Sequence, residues 1–455
     1  MNPNKQNGVR VRFPPSPTGY CHVGTARMAV LNYLFARKND GHIIFRSEDT
    51  DKERSTKEYE EDIMESVKWL GLDWDEFYRQ SERTSVYVHA LQTLIDKDAA
   101  YVSEEESKKE AGQIVKVVRL KNPNKVVKFQ DAIRGEISFD TTELKDFVVA
   151  RAIDDPLYHL SVVVDDADMG ITHVIRGEEH ISNTPRQILI QEALGYARPI
   201  YAHYPLFLGA DKSKLSKRKG DVAVRDYRED GFLPEAMLNF VGILGWTPPS
   251  GKEILSLGEM VQEFDIKDLH KSGAVFDMDK LRWYNRQYLL KKDDVEFAAY
   301  ALPPLENALK ERGVSWDENT AKKLVQDLKE RISVAADISE SAMAGEFDFF
   351  FADPMPDLSH IPQKGGSVSD TIAHLESAKN LLYKLENEAW SDAERIKGAV
   401  WEYATSAGRG AVLWPLRYAL TGKDKSPDPF EVASVLGKTA ALRRIDNALK
   451  ILQTV

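Results

Sequence analysis

The sequence predicts an α/β domain built on a parallel sheet, interrupted by an α+β insertion and continued by an all-α C-terminal half. Strand-like and helix-like segments alternate from Val9 to Gly71. That rhythm lapses between Tyr101 and Asp155 and then returns. From Lys292 onward no period-two segment is found, and amphipathic helical spacing takes over.

Each element has a local reason. Val9, Val11 and Phe13 alternate with Arg10 and Arg12, the period of a strand. Pro14, Pro15, Pro17 and Gly19 force a loop after it. Met28, Leu31, Leu34 and Phe35 carry helical spacing in Val23–Lys38, and His42–Arg46 reads as a buried parallel strand. Ser55 and Glu58 have capping-box spacing before a helix bearing Ile63, Val67 and Leu70, which Gly71 would end. The insertion opens with the charged stretch Glu104–Glu110 and offers strand pieces at Ile114–Leu120, Val126–Phe129 and Glu136–Phe139. The strand–helix rhythm then resumes with Tyr158–Val164, Thr172–Arg176, a helix from Ser182 to Leu194, and Ile200–Leu208. After the basic run Lys212–Lys219 comes the apolar segment Pro234–Leu244. Amphipathic helices are expected at Lys322–Ala336, Asp370–Asn387, Ala393–Thr405 and Phe430–Leu452, with a Pro- and Gly-rich break at Asp353–Gly366.

The 455 residues are 42% hydrophobic and 29% charged, the profile of a soluble globular chain of several domains. No apolar run approaches the ~20 residues of a membrane helix. Met1–Gly8 is polar and has no signal-peptide core, so a cytoplasmic location without membrane contact is expected. The single cysteine, Cys21, excludes an internal disulfide and a cysteine-rich zinc site. A net charge of −11 offers phosphates no general attraction. Contact with nucleic acid would need local basic patches, screened from the acidic remainder beyond about 8 Å.

Four segments carry chemistry. Pro15–Thr25 lies between the first strand and the first helix, where open α/β sheets bind ligands. The helix N-terminus there offers free N–H groups to phosphate, His22 can donate to it, and Gly24 permits close approach. His22 can equally serve as a simple helix cap. Lys212–Gly220 concentrates basic residues in a Ser- and Gly-containing stretch. Its lysines suit charge developing on departing pyrophosphate, or form a solvated basic turn or an RNA backbone patch. Glu48-Asp49-Thr50-Asp51, with Arg54 beyond it, ends the second strand. A carboxylate there can hold an ammonium group or a metal–nucleotide cation, whereas Asp49 and Asp51 also read as acids at a helix N-terminus. Tyr158-His159-Leu160, Asp165-Asp166 and Arg176-Gly177-Glu178-Glu179-His180 form the fourth group. Arg176, and Arg12 on the first strand, can clamp a carboxylate in bidentate fashion or sit in surface ion pairs.

Together these segments resemble the glutamyl-tRNA synthetase family, a branch of the class I aminoacyl-tRNA synthetases. His22-Val23-Gly24-Thr25 is similar to the HIGH element, with Thr25 for its last histidine. Lys214-Leu215-Ser216-Lys217-Arg218 is similar to KMSKS, with Leu215 for Met and Arg218 for the last Ser. The lead-in Pro15-Ser16-Pro17-Thr18-Gly19 matches the glutamyl branch, since glutaminyl enzymes typically carry Pro-Glu-Pro-Asn-Gly. The resemblance runs to the C-terminus, through Pro415-Leu416-Arg417 and Leu436–Ile445.

This resemblance implies a Rossmann-like catalytic domain in two halves, 1–100 and 156–210, around an acceptor-stem-binding insertion, 101–155. A stem-contact domain with the KMSKS-like loop, 211–292, and two helical anticodon-binding domains, 293–360 and 361–455, would follow. It implies that a monomer activates L-glutamate with ATP and Mg2+, then transfers it to the terminal ribose of tRNA-Glu. No zinc is expected. Arg12 and Arg176 would bind the glutamate side-chain carboxylate and Glu48 the ammonium, with Tyr158, Pro14 and Ser16 lining the pocket. ATP would fall to Ser16, Thr18, Gly19, His22, Gly24, Glu179, Phe207 and the run Lys214, Leu215, Ser216, Lys217 and Arg218. His22, Lys214 and Lys217 would be catalytic, and Arg54, Arg417 and Arg443 would contact tRNA. Trp414 and Arg444 are further RNA candidates that read equally well as core or surface.

The chain departs from the family at Pro14, where a small residue is common, at His180, where some relatives carry an aromatic, and in its short insertion. A glutaminyl-type or non-discriminating relative, or a tRNA-binding paralogue without activity, stays open. Ser16, Thr18 and the helical C-terminal half disfavour the glutaminyl enzyme. His22, Lys214, Lys217, Arg12 and Glu48 disfavour the inactive paralogue.

Overall fold

The alternation at Val9–Phe13 produces strand β1 (Arg10–Phe13), which buries Val11, Arg12 and Phe13. The computed structural model describes residues 8–106, 112–209 and 223–454. The chain divides into two units, Met1–Asn285 and Arg286–Val455. After β1 come α1 (Val23–Lys38), β2 (His42–Ser47), α2 (Lys57–Trp69), β3 (Glu76–Arg79) and α3 (Thr84–Asp96). The next strands are β4 (Ala100–Glu106), β5 (Ile114–Leu120), β6 (Val126–Asp131), β7 (Gly135–Asp140), β8 (Phe147–Ala152) and β9 (Asp155–Pro156). They lead to α4 (Tyr158–Asp168), β10 (His173–Gly177), α5 (Thr184–Leu194), β11 (Ile200–Tyr204) and β12 (Phe207–Leu208). Then follow α6 (Val224–Glu229), α7 (Pro234–Ile243), α8 (Leu257–Glu263), β13 (Ala274–Val275) and α9 (Met278–Lys291).

The expected parallel sheet is present. β2 pairs in parallel with β1 and with β3, and β10 pairs in parallel with β11. The two sets meet where the Thr172 N–H donates to the Arg10 carbonyl at 2.9 Å and the Arg10 N–H donates to Thr172 Oγ1 at 2.8 Å. The strand order is therefore β3-β2-β1-β10-β11, and the winding reverses between β1 and β10. Carboxyl ends at such a reversal open a crevice that loops do not fill.

The insertion behaves differently from a separate module. β4, β5, β8 and β9 form an antiparallel sheet of their own. The antiparallel hairpin β6–β7 instead reaches the edge of β11, where Asp131 stands opposite Tyr201. Val118, Leu120, Val127, Phe129 and Val149 share one hydrophobic core with Leu91, Leu94, Leu160 and Ile188. The inserted strands and the helices on the parallel sheet thus cannot be uncoupled without exposing that core.

Two expectations are corrected in this unit. Tyr158–Val164, read as a strand from its valine run, is the body of α4, which buries Leu160, Val162, Val163 and Val164. β-branched residues favour strands only weakly, and burial on a helix face outweighs that preference. The cap of α2 is Thr56, whose Oγ1 accepts the Tyr59 N–H, rather than Ser55. Gly71, at φ +79°, stops the chain as the sequence suggests.

The regular structure of the C-terminal unit is all helical among its described residues: α10 (Asp294–Glu311), α11 (Glu318–Lys323), α12 (Val325–Arg331), α13 (Ala335–Met343), α14 (Asp348–Phe351), α15 (Val368–Tyr383), α16 (Ala393–Ala407), α17 (Arg409–Thr421) and α18 (Pro429–Leu452). The single helix expected over Lys322–Ala336 is three pieces. Asp337 accepts the N–H groups of Ser333 and Val334, at 2.8 and 3.1 Å, which holds that stretch extended and starts α13 afresh. The prolines inside α10 (Pro303 and Pro304) and α17 (Pro415) mask these helices in the sequence. Arg444 is core rather than an RNA contact. Its guanidinium donates to Asp353 and to the carbonyls of Phe349, Leu420 and Ala352, at 2.6–3.0 Å, closing the C-terminal ends of α14 and α17.

Within α18, Gly437 has φ 76° and ψ 168°, a conformation that is essentially restricted to glycine. Gly437→Ala should destabilise the protein by about 1–3 kcal/mol. Gly398→Ala, on an exposed turn of α16 with open space around it, should stabilise it by about 0.5–1 kcal/mol. Urea unfolding of both variants checks the pair; equal midpoints would refute the assignment of strain to Gly437.

Candidate functional site

The loop after β1 runs to the N-terminus of α1, where His22 is the N-cap and its Nδ1 accepts the Gly24 N–H at 3.0 Å. The cap role and the site role are compatible. With Nδ1 used as an acceptor, a neutral ring carries its proton on Nε2. A cleft of about 460 Å³ opens here, lined by Ser16, Thr18, Gly19, His22 and Gly24, together with Glu179 and Phe207 from the β10 and β12 ends. Every described residue that the sequence assigns to a nucleotide therefore lines one cavity. A Cβ at Gly177 would lie 2.0 Å from the Glu179 carboxylate, so a side chain there would displace Glu179.

The run Lys212–Gly220, with Lys214, Leu215, Ser216, Lys217 and Arg218, lies outside the described residues. The flanking chain is described. Phe207 lines the cleft, and Ala223 forms a β-bridge with His22, next to a Val224 N–H bond to the Cys21 carbonyl at 2.8 Å. Arg27, which the sequence reading passed over, holds this border. It is buried in α1, donates to the Pro205 and Leu244 carbonyls, and stacks on the Tyr204 and Phe207 rings at 5.0 and 4.4 Å. Burial lowers its pKa to about 10, still charged at neutral pH.

Beneath the cleft, three strands each contribute a buried arginine: Arg12, Arg46 and Arg176. Arg46 was not singled out from the sequence. It donates to Asp166 at 2.7 Å and to Glu48 at 3.0 Å, and its Nε lies 3.8 Å from Asp165. Asp165 also accepts from Gln80, Arg83 and Tyr87. Arg12 lies 3.4 Å from Asp166. Arg176 has no carboxylate within ion-pair distance among the described residues. Its Nε donates to His203 and its Nη2 to Thr184, and Nη1 is buried with no hydrogen-bond partner. A buried guanidinium in that state leaves a donor unsatisfied, a cost that a carboxylate ligand removes.

The surroundings keep the neighbouring histidines neutral. Burial, reinforced by Arg176 and Arg12, pushes the His180 pKa down to about 3. Burial, with Arg186 and Arg176, brings His159 to about 4. Burial raises the Glu48 pKa against the pull of Arg46 and Arg12. Tyr158 stands close by, its hydroxyl 3.3 Å from His180 Nδ1.

The remaining sequence candidates fall elsewhere. Pro14 is half-buried at the start of the loop. Asp49 bonds the Ser81 N–H and hydroxyl, and Asp51 pairs with the exposed Arg54. Arg417 is half-buried on α17, and Arg443 on α18 pairs with Asp353 at 2.8 Å. The Trp414 indole donates to the His360 carbonyl at 3.0 Å. No helix among the described residues is long and apolar enough to cross a membrane.

Comparison with known proteins gives a consistent result. Residues 8–109 and 102–283 match the catalytic domain of class I tRNA synthetases (E and Q), and residues 296–449 match an anticodon binding domain. The chain is 40% identical to the glutamate–tRNA ligase of Aquifex aeolicus and 39% identical to that of a Sulfurihydrogenibium species; each match covers 97% of this chain and 99% of the relative. The crystal structure of a glutamate tRNA ligase from Elizabethkingia meningosepticum, in complex with its amino acid, is 32% identical. It superposes with a TM-score of 0.85 over 98% of this chain and 99% of that one.

The lowered histidine pKa values predict a pH effect on folding. Unfolded histidines bind protons below about pH 6.5, whereas folded His159 and His180 stay neutral to about 4 and about 3. Stability should therefore fall as pH drops from 6.5 toward 4. Urea midpoints between pH 7.5 and 5 should show a steeper fall for the native chain than for a His159→Gln/His180→Gln variant; parallel profiles would contradict the shifts.

Proposed function

Because the chain belongs to the class I tRNA synthetases (E and Q), and within them to the glutamate–tRNA ligases, we propose which of its residues carry the two steps of joining glutamate to tRNA. Arg176 and Arg12 take the side-chain carboxylate of glutamate. The observation that carries this assignment is the buried, unpartnered Nη1 of Arg176, in a cluster whose three carboxylates already face Arg46. Glutamine would leave that charge without a partner, which costs about 3–5 kcal/mol in a buried site. Glu48 receives the ammonium group, Tyr158 walls the pocket, and Pro14 and Ser16 border it from the loop.

ATP occupies the cleft. The N-terminal end of α1, with Gly24, and the Nε2–H of His22 face its phosphates. Thr18 and Gly19 border the nucleotide from the loop, and Glu179 and Phe207 from the other strand ends. Lys214 and Lys217, with Leu215, Ser216 and Arg218, come from a segment whose ends at Phe207 and Ala223 adjoin this cleft. Magnesium accompanies ATP in this proposal, as membership of the family implies. When bound, it neutralises phosphate charge.

In the first step the glutamate α-carboxylate attacks the α-phosphorus. A P–O bond forms as the bond to pyrophosphate breaks. The carboxylate is already ionised, so no general base is required, and catalysis rests on positioning and on stabilising the departing charge. In the second step a hydroxyl of the terminal ribose attacks the activated carbonyl and AMP leaves. tRNA-Glu is the proposed acceptor, with Arg54 near its acceptor end and the helical unit, including Arg417 and Arg443, at its anticodon.

Glutamate-dependent exchange of pyrophosphate into ATP should occur when tRNA is added; no exchange under any condition would overturn the assignment. Arg176→Gln should lower kcat/KM for glutamate by about 100-fold or more while KM for ATP stays within about twofold. Lys217→Ala should lower kcat by about 100-fold.

A further inference from the structure

We propose that Asp131 and His203 form a buried relay that orients Arg176, making both of them positioning residues for the choice of glutamate. This rests on the reading of Arg176 as the carboxylate clamp. The Thr184 hydroxyl also lies 3.2 Å from His203 Nε2 and can either donate or accept there, so the Arg176 contact decides the proton placement. An arginine Nε–H can only donate, so His203 Nε2, at 3.1 Å, must accept. The His203 proton is then on Nδ1, which donates to Asp131 Oδ2 at 2.6 Å. Both side chains are fully buried.

Asp131 is itself held rigidly. Its Oδ1 accepts the backbone N–H groups of Ile133, Arg134 and His203, at 3.0, 2.9 and 3.3 Å. These bonds and His203 keep the carboxylate ionised despite its burial. The turn that carries it is tied down a second time, because Arg134 donates to the His203 carbonyl at 3.2 Å and pairs with Glu178.

Two sides of the Arg176 guanidinium are thereby occupied by neutral acceptors, His203 on Nε and Thr184 Oγ1 on Nη2 at 2.8 Å. The Tyr201 ring lies 5.7 Å from its centre and stacks on the His203 ring. The plane is fixed, and the third side, Nη1, is left for a ligand. A carboxylate in place of His203 would neutralise the arginine and compete with glutamate; a neutral acceptor orients it and leaves its charge available. The tautomer is essential, since a proton on Nε2 would set N–H against N–H. Asp131 supplies that tautomer from the inserted segment, 72 residues from His203 in the chain.

The test is steady-state aminoacylation by the full-length enzyme with tRNA. His203→Leu should raise KM for glutamate by about 10–100-fold, the usual cost of a misplaced binding group, with KM for ATP within about twofold. His203→Gln, whose amide oxygen can replace the Nε2 acceptor, should recover most of that loss. Asp131→Asn should also raise KM for glutamate selectively. In ¹⁵N spectra of the unsubstituted protein, His203 should show an unprotonated Nε2, a readout that survives even if His203→Leu fails to fold. Equal rises in KM for glutamate and ATP, no rescue by His203→Gln, or a protonated Nε2 would each overturn the relay. Arg176→Gln separates the two levels: glutamate use retained in that variant removes the parent assignment, whereas glutamate use lost there but unchanged in the His203 and Asp131 variants removes the relay alone.

Discussion

Burying a guanidinium costs several kcal/mol, and this fold buries three of them at the carboxyl ends of adjoining strands. The way each is compensated sets what the site can do. Arg46 faces three carboxylates, so its charge is compensated within the protein. Arg12 shares one of them. Arg176 is met by neutral acceptors only, and burial lowers its pKa, although Tyr158 and other neighbours support the charged form. Positive charge is thus concentrated where an anionic side chain can enter, and balanced everywhere else.

That distribution depends on the sheet. The reversal of strand order between β1 and β10 brings Arg12 and Arg176 to neighbouring strand ends, and β2 adds Arg46 and Glu48 alongside. The same reversal opens the cleft at the start of α1. Amino-acid and nucleotide sites adjoin because both use one topological feature, which suits a reaction that joins their ligands. Arg27 fixes the far border by holding the Pro205 region against α1, and Glu178 ties that region to the β6–β7 turn through the Leu206 N–H.

The helical unit shows the same device put to a structural use. Arg444 is also a buried arginine, but it is saturated by Asp353 and three carbonyl oxygens. No donor is turned toward an open pocket. Arg444 holds helix ends, whereas its neighbour Arg443 stays exposed. Adjacent arginines in one helix therefore have different roles, decided by which of them faces the core.

Short-range features of the chain were legible in its sequence. The strand–loop–helix unit around His22, the identity of Arg12, Glu48 and Arg176 as charged groups at strand ends, and the helical second half follow from spacing and composition over a few residues. The family followed from two motifs read together. What only the tertiary structure decided was the company each charge keeps. Arg46 and Asp166 are 120 residues apart in the chain, and Asp131 and His203 are 72 apart. Nothing local marks such pairs, and so Arg46, Arg27, Asp131 and His203 were passed over. The valine run in α4 misled for the same reason: local preference is worth tenths of a kcal/mol per residue, and burial against distant segments outweighs it.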